Sequence, residues 1–131
     1  MHGLHLTADL MGCRCDPLWL TDADRLAERC EAAVMQAGLS AVAKLAHTFP
    51  ASDSGPGGVT ATVLLAESHL CVHTWPEIGA ATLDVYVCNY GADHSVRAEA
   101  LMASLLALFD AAQVERRAIE RGAIGLAAAS P

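Results

Sequence analysis

The sequence has few basic and few aromatic residues. Eight lysines and arginines stand against fifteen aspartates and glutamates in 131 residues, which gives a formal net charge of −7, and aromatic residues make up only 5% of the chain. Binding to nucleic acid or to an anionic membrane needs clustered lysines and arginines. The one basic concentration, Arg116, Arg117 and Arg121, is interleaved with glutamates. We therefore expect neither a nucleic-acid partner nor a membrane partner.

The sequence also lacks an apolar run of membrane-spanning length, and its start lacks the charged-then-apolar pattern of a secretory signal. Five cysteines are an odd number, so without such a signal we expect reduced thiols and a cytoplasmic protein. The chain is 53% apolar, which is enough to bury a core without disulfide or metal staples. Its length predicts a single domain over residues 1–131.

Hydrophobic periodicity predicts the element order strand, helix, three strands, helix, strand. The first helix is expected to begin at a capping box formed by Thr21 and Asp24 and to end at Gly38. Asp93 is expected to cap the second helix, of about five turns. The predicted strands alternate apolar and polar residues or are short apolar runs, and they cover residues 4–10, 39–49, 59–66, 82–88 and 113–120.

This order predicts an α+β fold of two layers, with a mainly antiparallel sheet and two helices on one face. The other face of the sheet would carry Thr60, Thr62, Asp84, Tyr86 and Cys88 among apolar neighbours. Such a face is too apolar for free solvent and too polar for an ordinary core. We therefore expect it to meet a partner or to hold a site.

Residues 67–77, Glu-Ser-His-Leu-Cys-Val-His-Thr-Trp-Pro-Glu, concentrate the reactive side chains of the sequence. His69, Cys71 and His73 alternate, and imidazole with thiolate suits zinc. Three ligands on one strand, however, lie too far apart to converge on one ion without help, so we predict no metal. Ser68 could act as a hydrolase nucleophile, but it does not stand in a Gly-x-Ser-x-Gly elbow.

The same block, followed by Asp84 and Cys88 on the next strand, resembles the small prokaryotic S-adenosylmethionine decarboxylases, which are pyruvoyl-dependent, self-cleaving enzymes. The resemblance covers roughly residues 3–122. It includes, besides the block, Gly3-Leu4-His5-Leu6, Val59-Thr60-Ala61, the stretch from Gly79 to Asp84, and Glu120-Arg121-Gly122.

The resemblance implies a carboxy-lyase that decarboxylates S-adenosylmethionine and so supplies the aminopropyl donor for spermidine synthesis. It implies a zymogen that cleaves itself between Glu67 and Ser68. Ser68 would become a covalent pyruvoyl group, whose ketone forms a Schiff base with the substrate amine and takes up the electrons left by decarboxylation. It also implies a homodimer of cleaved protomers, with sheets packed face to face and active sites near the interface.

The roles of individual residues follow from the same resemblance. His73 would be the base for processing, supported by the hydroxyl of Thr60. Cys88 would donate a proton to the product carbon. Phe49 would stack on adenine, and Glu77 would hold polar groups of the substrate.

Two stretches depart from the family pattern and leave alternatives open. The sequence reads Val87-Cys88-Asn89 where the family commonly has Thr-Cys-Gly, and the segment at 50–58 is enlarged. A pyruvoyl-dependent arginine or ornithine decarboxylase is the main alternative, in which Asp53 would face a guanidinium or ammonium group. A non-catalytic partner subunit is a more distant one, and the presence of Ser68, His73 and Cys88 together argues against it.

Overall fold

A computed structural model of the chain describes residues 2–122; Met1 and residues 123–131 of the predicted domain lie outside the described residues. The helices are α1 (Leu18–Thr21), α2 (Ala23–Gln36) and α3 (Ser95–Phe109), and a 3₁₀ turn covers Pro76–Ile78. The strands are β1 (Gly3–Cys13), β2 (Ala41–Thr48), β3 (Val59–Leu65), β4 (Ser68–Trp75), β5 (Ala80–Cys88) and β6 (Ala111–Arg121).

The strands form one antiparallel sheet in the order β2-β3-β4-β5-β1-β6. Alternate residues of the inner strands are apolar and pack against α2 and α3, so the core lies between the helices and one face of the sheet. Its largest fully buried members include Leu6, Leu70, Leu83, Leu101 and Phe109. This arrangement confirms the predicted two-layer α+β fold.

The predicted element order was wrong by one strand, because the reactive segment is itself strand β4. Leu70, Val72 and Thr74 are buried on the helix side, while the residues between them point to the other face. A two-residue turn joins β3 to β4, since Leu65 pairs with Ser68. The segment is an ordinary half-buried strand with a period of two. It was not predicted as a strand because its outward positions carry polar side chains.

The predicted cap of the first helix was also wrong, by one residue. The Asp22 side chain accepts a hydrogen bond from the Arg25 backbone N–H at 3.1 Å, whereas the Thr21 hydroxyl donates to the Pro17 carbonyl at 3.1 Å. Thr21 closes the short helix α1 and is not free to cap α2. At α3, Asp93 accepts from the Ser95 N–H at 2.9 Å, and this bond lowers the pKa of the Asp93 carboxyl.

Thr74 is the one buried polar residue among residues 2–122, with 5% of its surface exposed. Its hydroxyl accepts a hydrogen bond from the Val59 N–H at 2.9 Å and donates one to the Leu20 carbonyl at 2.7 Å. One oxygen therefore holds the start of β3, the end of β4 and helix α1 together.

We predict that Thr74→Val destabilises the fold. The substitution keeps the shape but leaves the Val59 N–H and the Leu20 carbonyl without a partner, at a cost of roughly 1–3 kcal/mol for each orphaned group. Urea unfolding in a Ser68→Ala background, which excludes self-cleavage, would measure the change. Thr62→Val is the matched control, because within residues 2–122 the one hydrogen-bond partner of the Thr62 hydroxyl is the Cys71 sulfur, at 3.5 Å. Equal midpoints for the two variants would contradict the prediction.

Candidate active site

The face of the sheet turned away from the helices, here called the open face, carries rows of polar and aromatic side chains. Strand register places Thr60, His73 and Thr82 in one row, and Thr62, Cys71, Asp84 and Thr7 in the next. A third row contains Leu64, His69, Tyr86 and His5. The residues that the sequence singled out are thus arranged by the pairing of β1, β3, β4 and β5.

A pocket of about 470 Å³ opens where β4 ends. It brings together four of the predicted site residues, Phe49, Thr60, His73 and Glu77, with Trp75 beside them. The Thr60 hydroxyl lies 2.9 Å from Nδ1 of His73, so the two residues form a hydrogen-bonded pair across β3 and β4. We call this set the His73 pocket.

Two glycines make the His73 pocket compatible with the enlarged 50–58 segment. A Cβ on Gly58 would lie 2.1 Å from the Thr74 carbonyl oxygen, and one on Gly57 would lie 1.9 Å from the Phe49 carbonyl oxygen. No other residue fits there. The segment folds back tightly and supplies Ser52 and Ser54 to the pocket wall, whereas Asp53 is exposed and does not line the pocket.

A second pocket, of about 350 Å³, lies at the opposite end of β4 and is lined by Glu67, Tyr86, Cys88 and Tyr90. The Cys88 backbone N–H donates a hydrogen bond to the Ser68 hydroxyl at 2.9 Å. Ser68 and Cys88, both predicted to be catalytic, are therefore neighbours. We call Ser68 and the four residues that line this pocket, Glu67, Tyr86, Cys88 and Tyr90, the Ser68 end.

The peptide bond between Glu67 and Ser68 follows a residue in an unfavourable conformation. Glu67 has φ of 55°, in the left-handed region that non-glycine residues seldom adopt. Such positions cost of order 1–3 kcal/mol and cluster at functional sites. Backbone strain is thus located at the predicted cleavage position.

The structure does not bring Ser68 and His73 together within one chain. They are five residues apart on β4, a distance of about 16 Å in an extended strand. Side chains alternate between the two faces of a strand, so an odd spacing also places Ser68 and His73 on opposite faces. Ser68 points to the helix side, as the buried Leu70 does, whereas His73 points to the open face, as His69 does. The predicted residues therefore form two separate groups.

A network that sequence reasoning missed occupies the open face between these groups. Nε2 of His5 contacts the Asp84 carboxylate, Nε2 of His69 lies 3.6 Å from the same oxygen, and Arg121 donates to Nδ1 of His5 at 3.1 Å. The sequence did contain one signal for this network: His5, His69 and Asp84 occupy polar positions of strands in which polar and apolar residues alternate. The pairing of residues up to 116 positions apart could not be read from the sequence.

Among the described residues, the group His5, His69 and Asp84 and the alternating trio on β4 have the chemistry to hold a metal. Facing ligand atoms of His5, His69 and Asp84 lie within 4.8 Å of one another, but metal-bound histidines usually donate their second N–H to an acceptor, and here Arg121 donates to His5 instead. The second candidate group, the alternating residues His69, Cys71 and His73, does not converge on one point. Each of the three contacts a different partner, namely Asp84, Thr62 and Thr60.

The remaining cysteines behave as packing residues. Desolvation by burial raises the pKa of Cys30 to about 12 and that of Cys13 to about 11. All five cysteines are free. Cys30 and Cys13 therefore stay protonated near neutral pH and are not nucleophiles.

Comparisons with known proteins identify the family that this chain resembles. The family described as S-adenosylmethionine decarboxylase matches residues 4–122. The S-adenosylmethionine decarboxylase proenzyme of Persephonella marina is 36% identical over 93% of this chain and 84% of its own length. That of Aquifex aeolicus is 36% identical over 93% and 82%, respectively.

The fold has a solved counterpart. The crystal structure of the adenosylmethionine decarboxylase from Aquifex aeolicus matches with a TM-score of 0.78 and 34% identity, over 92% of this chain and 90% of that one. Separately, within residues 2–122 no helix has the length and apolar character needed to cross a bilayer.

Proposed function

Because this chain belongs to the S-adenosylmethionine decarboxylase family, we propose that it decarboxylates S-adenosylmethionine with a pyruvoyl group made from its own Ser68. The product would be the aminopropyl donor for spermidine synthesis. The observation that carries the proposal is the strained Glu67 immediately before Ser68, whose hydroxyl is held at 2.9 Å by the Cys88 N–H. The free thiols fit a reducing, cytoplasmic setting.

Self-cleavage uses only groups of the chain and water. The Ser68 hydroxyl oxygen bonds to the Glu67 carbonyl carbon, the carbon–nitrogen bond breaks, and the hydroxyl proton ends on the Ser68 nitrogen. Removal of the Ser68 α-proton then expels the Glu67 carboxylate. The resulting dehydroalanine takes up water and releases ammonia, which leaves a pyruvoyl group at position 68. Breaking this bond also relieves the strain at Glu67.

The residues at the Ser68 end fit such a group. When present, a pyruvoyl ketone supplies the electron sink that decarboxylation of an amino acid requires. Cys88 is 9% exposed and lines the pocket with Tyr86. Its thiol can donate a proton to the product carbon in this sheltered place without carrying a permanent charge.

We predict that the wild-type protein consists of two fragments of similar size, divided after Glu67. The later fragment should be blocked to Edman sequencing, and Ser68→Ala should remain full length. Cys88→Ala is the matched comparison: it should still cleave but lose turnover by about 10²- to 10⁴-fold. Gel electrophoresis and carbon dioxide release measure both effects. An uncut, fully active wild-type chain would refute the pyruvoyl mechanism.

The distance between Ser68 and His73 supports a homodimer. A second copy packed on the open face, related by a two-fold axis perpendicular to the strands, would place the His73 pocket of one protomer over the Ser68 end of the other. Facing sheets lie about 10 Å apart, a gap that side chains from both sides can fill. His73 and Thr60 would then act on the Ser68 α-carbon of the partner.

The charges of the open face are compatible with burial against a partner. Asp84 is paired with His5 and His69, and Asp9 accepts from Arg117 at 3.1 Å. Satisfying charges within the protomer limits the cost of removing them from water. Around this network the face exposes large apolar side chains that an isolated protomer would leave in solvent, namely Met11, Leu45, Leu64, Trp75 and Ile119.

We predict complementation between two inactive variants. His73→Ala and Ser68→Ala homodimers should both remain uncut, because every site lacks one group. In a mixed dimer, one site combines the intact Ser68 of the first chain with the intact His73 of the second. Co-expression with different tags should therefore restore cleavage of the His73→Ala chain. Stable mixed dimers without any cleavage would contradict a site shared between protomers.

The His73 pocket favours an adenosyl substrate over a linear amino acid. Phe49 is 49% exposed at the pocket wall, and an aromatic ring there can stack on adenine. Glu77 supplies a carboxylate for polar groups of the substrate. Asp53, the residue that an arginine or ornithine enzyme would use, does not line the pocket.

We predict that Phe49→Ala raises KM for S-adenosylmethionine while self-cleavage stays intact, because only substrate stacking is lost. Asp53→Ala, a change in the neighbouring loop, should leave turnover unchanged. Steady-state carbon dioxide release from S-adenosylmethionine, arginine and ornithine measures the difference. Release from arginine or ornithine alone, together with a clear loss in Asp53→Ala, would reverse the choice of substrate.

A further inference from the structure

The Phe49 ring, which the proposed function stacks on adenine, lies outside the buried core. Phe49 directly follows the last residue of β2, and 49% of its surface is exposed. Its backbone is fixed, because the Phe49 N–H donates a hydrogen bond to the Gly58 carbonyl at 2.9 Å. This bond places the main chain but does not select a rotamer for the side chain. A ring that presents one defined face to a substrate therefore needs support from a neighbouring side chain.

His47 is the residue that contacts the Phe49 ring. The centroids of the two rings lie 4.8 Å apart, and their planes make an angle of 83°. This is the edge-to-face arrangement that aromatic pairs prefer over a parallel sandwich. Within residues 2–122 no second aromatic ring forms such a pair with Phe49. Because the two planes are nearly perpendicular, at least one face of Phe49 stays available for a flat ligand.

The sheet fixes the position of His47. His47 lies on β2 opposite Thr60 of β3, and Thr60 lies opposite His73 of β4. The three side chains therefore form one row across the open face. Since His47 belongs to a paired strand, whereas Phe49 follows the end of that strand, the row holds an imidazole against a wall of the His73 pocket.

We propose that His47 is a positioning residue for adenine recognition. Its imidazole holds the Phe49 ring in the orientation in which a free face meets the adenine of the substrate. A ring that is oriented in advance gives up no rotamer freedom when the substrate binds, so His47 strengthens binding without taking part in the chemistry at Ser68. The inference rests on the proposed function and assigns a second residue to the recognition of its substrate.

We expect His47→Ala to raise KM for S-adenosylmethionine by about 2- to 12-fold, which is the contribution of one aromatic pair, with little change in kcat. Such a split indicates the loss of binding that ground state and transition state share. Self-cleavage should proceed, because the hydrogen bond between Thr60 and His73 does not involve His47. Steady-state carbon dioxide release measures KM. The inhibition constant of adenosine, which has the ring but not the amino acid, should rise by the same factor.

Three further variants separate support of the ring from general disturbance of β2. His47→Phe keeps an aromatic ring and should restore a KM close to that of the wild type. His47→Gln keeps a polar side chain without a ring and should behave like His47→Ala. Thr48→Ala is the matched control, because Thr48 lies on the other side of β2, beside Leu18 and Thr21 of α1, and its loss should leave KM unchanged.

A double-mutant cycle tests whether His47 acts through Phe49. In a Phe49→Ala background, His47→Ala should raise KM no further, because the ring that His47 orients is gone. Equal KM values for wild type and His47→Ala, effects of the two substitutions that multiply, or equal defects in His47→Phe and His47→Gln would overturn the inference. These results would leave the proposed function standing, since that fails only if the wild type releases no carbon dioxide from S-adenosylmethionine.

Discussion

The rigid extension of β4 is the constraint on which the site depends. A strand rises about 3.3 Å per residue and alternates its faces, so the five-residue interval between Ser68 and His73 fixes both their separation and their opposite orientation. No side-chain rotation can close a gap of about 16 Å. Any chemistry that needs both residues must therefore draw one of them from another chain.

The surrounding fold keeps β4 in this position at both ends. At one end the Thr74 hydroxyl connects β3, β4 and α1, and the glycines at 57 and 58 admit close backbone approach. At the other end Ser68 is fixed by the Cys88 N–H, after a turn that holds Glu67 in the left-handed region. The first end lines the His73 pocket, whereas the second, with the unfavourable backbone of Glu67, is the end proposed to react.

The general architecture could be predicted from the sequence because it depends on local periodicity. Alternation identified most strands, and helical spacing identified the two long helices. The missed strand β4 shows the limit of prediction from periodicity. Its outward positions carry the polar residues His69, Cys71 and His73, so the segment has less apolar character than the other inner strands. The placement of Ser68 and His73 on opposite faces follows from the alternation of side chains, but only once this segment is recognised as a strand. The bond from Arg121 to His5 joins residues 116 positions apart, and only the formed sheet reveals it.

The two departures from the family pattern lie beside the two halves of the site, and each has a structural role. The enlarged 50–58 segment forms a wall of the His73 pocket. Asn89, where the family commonly has glycine, orients His94 and the start of α3, and Tyr90 beside it lines the Ser68 end. In the proposed dimer, the 50–58 segment of one protomer would approach Tyr90 of the other. Changes in these two stretches would then meet at one composite site, so the geometry of either loop constrains the other across the interface.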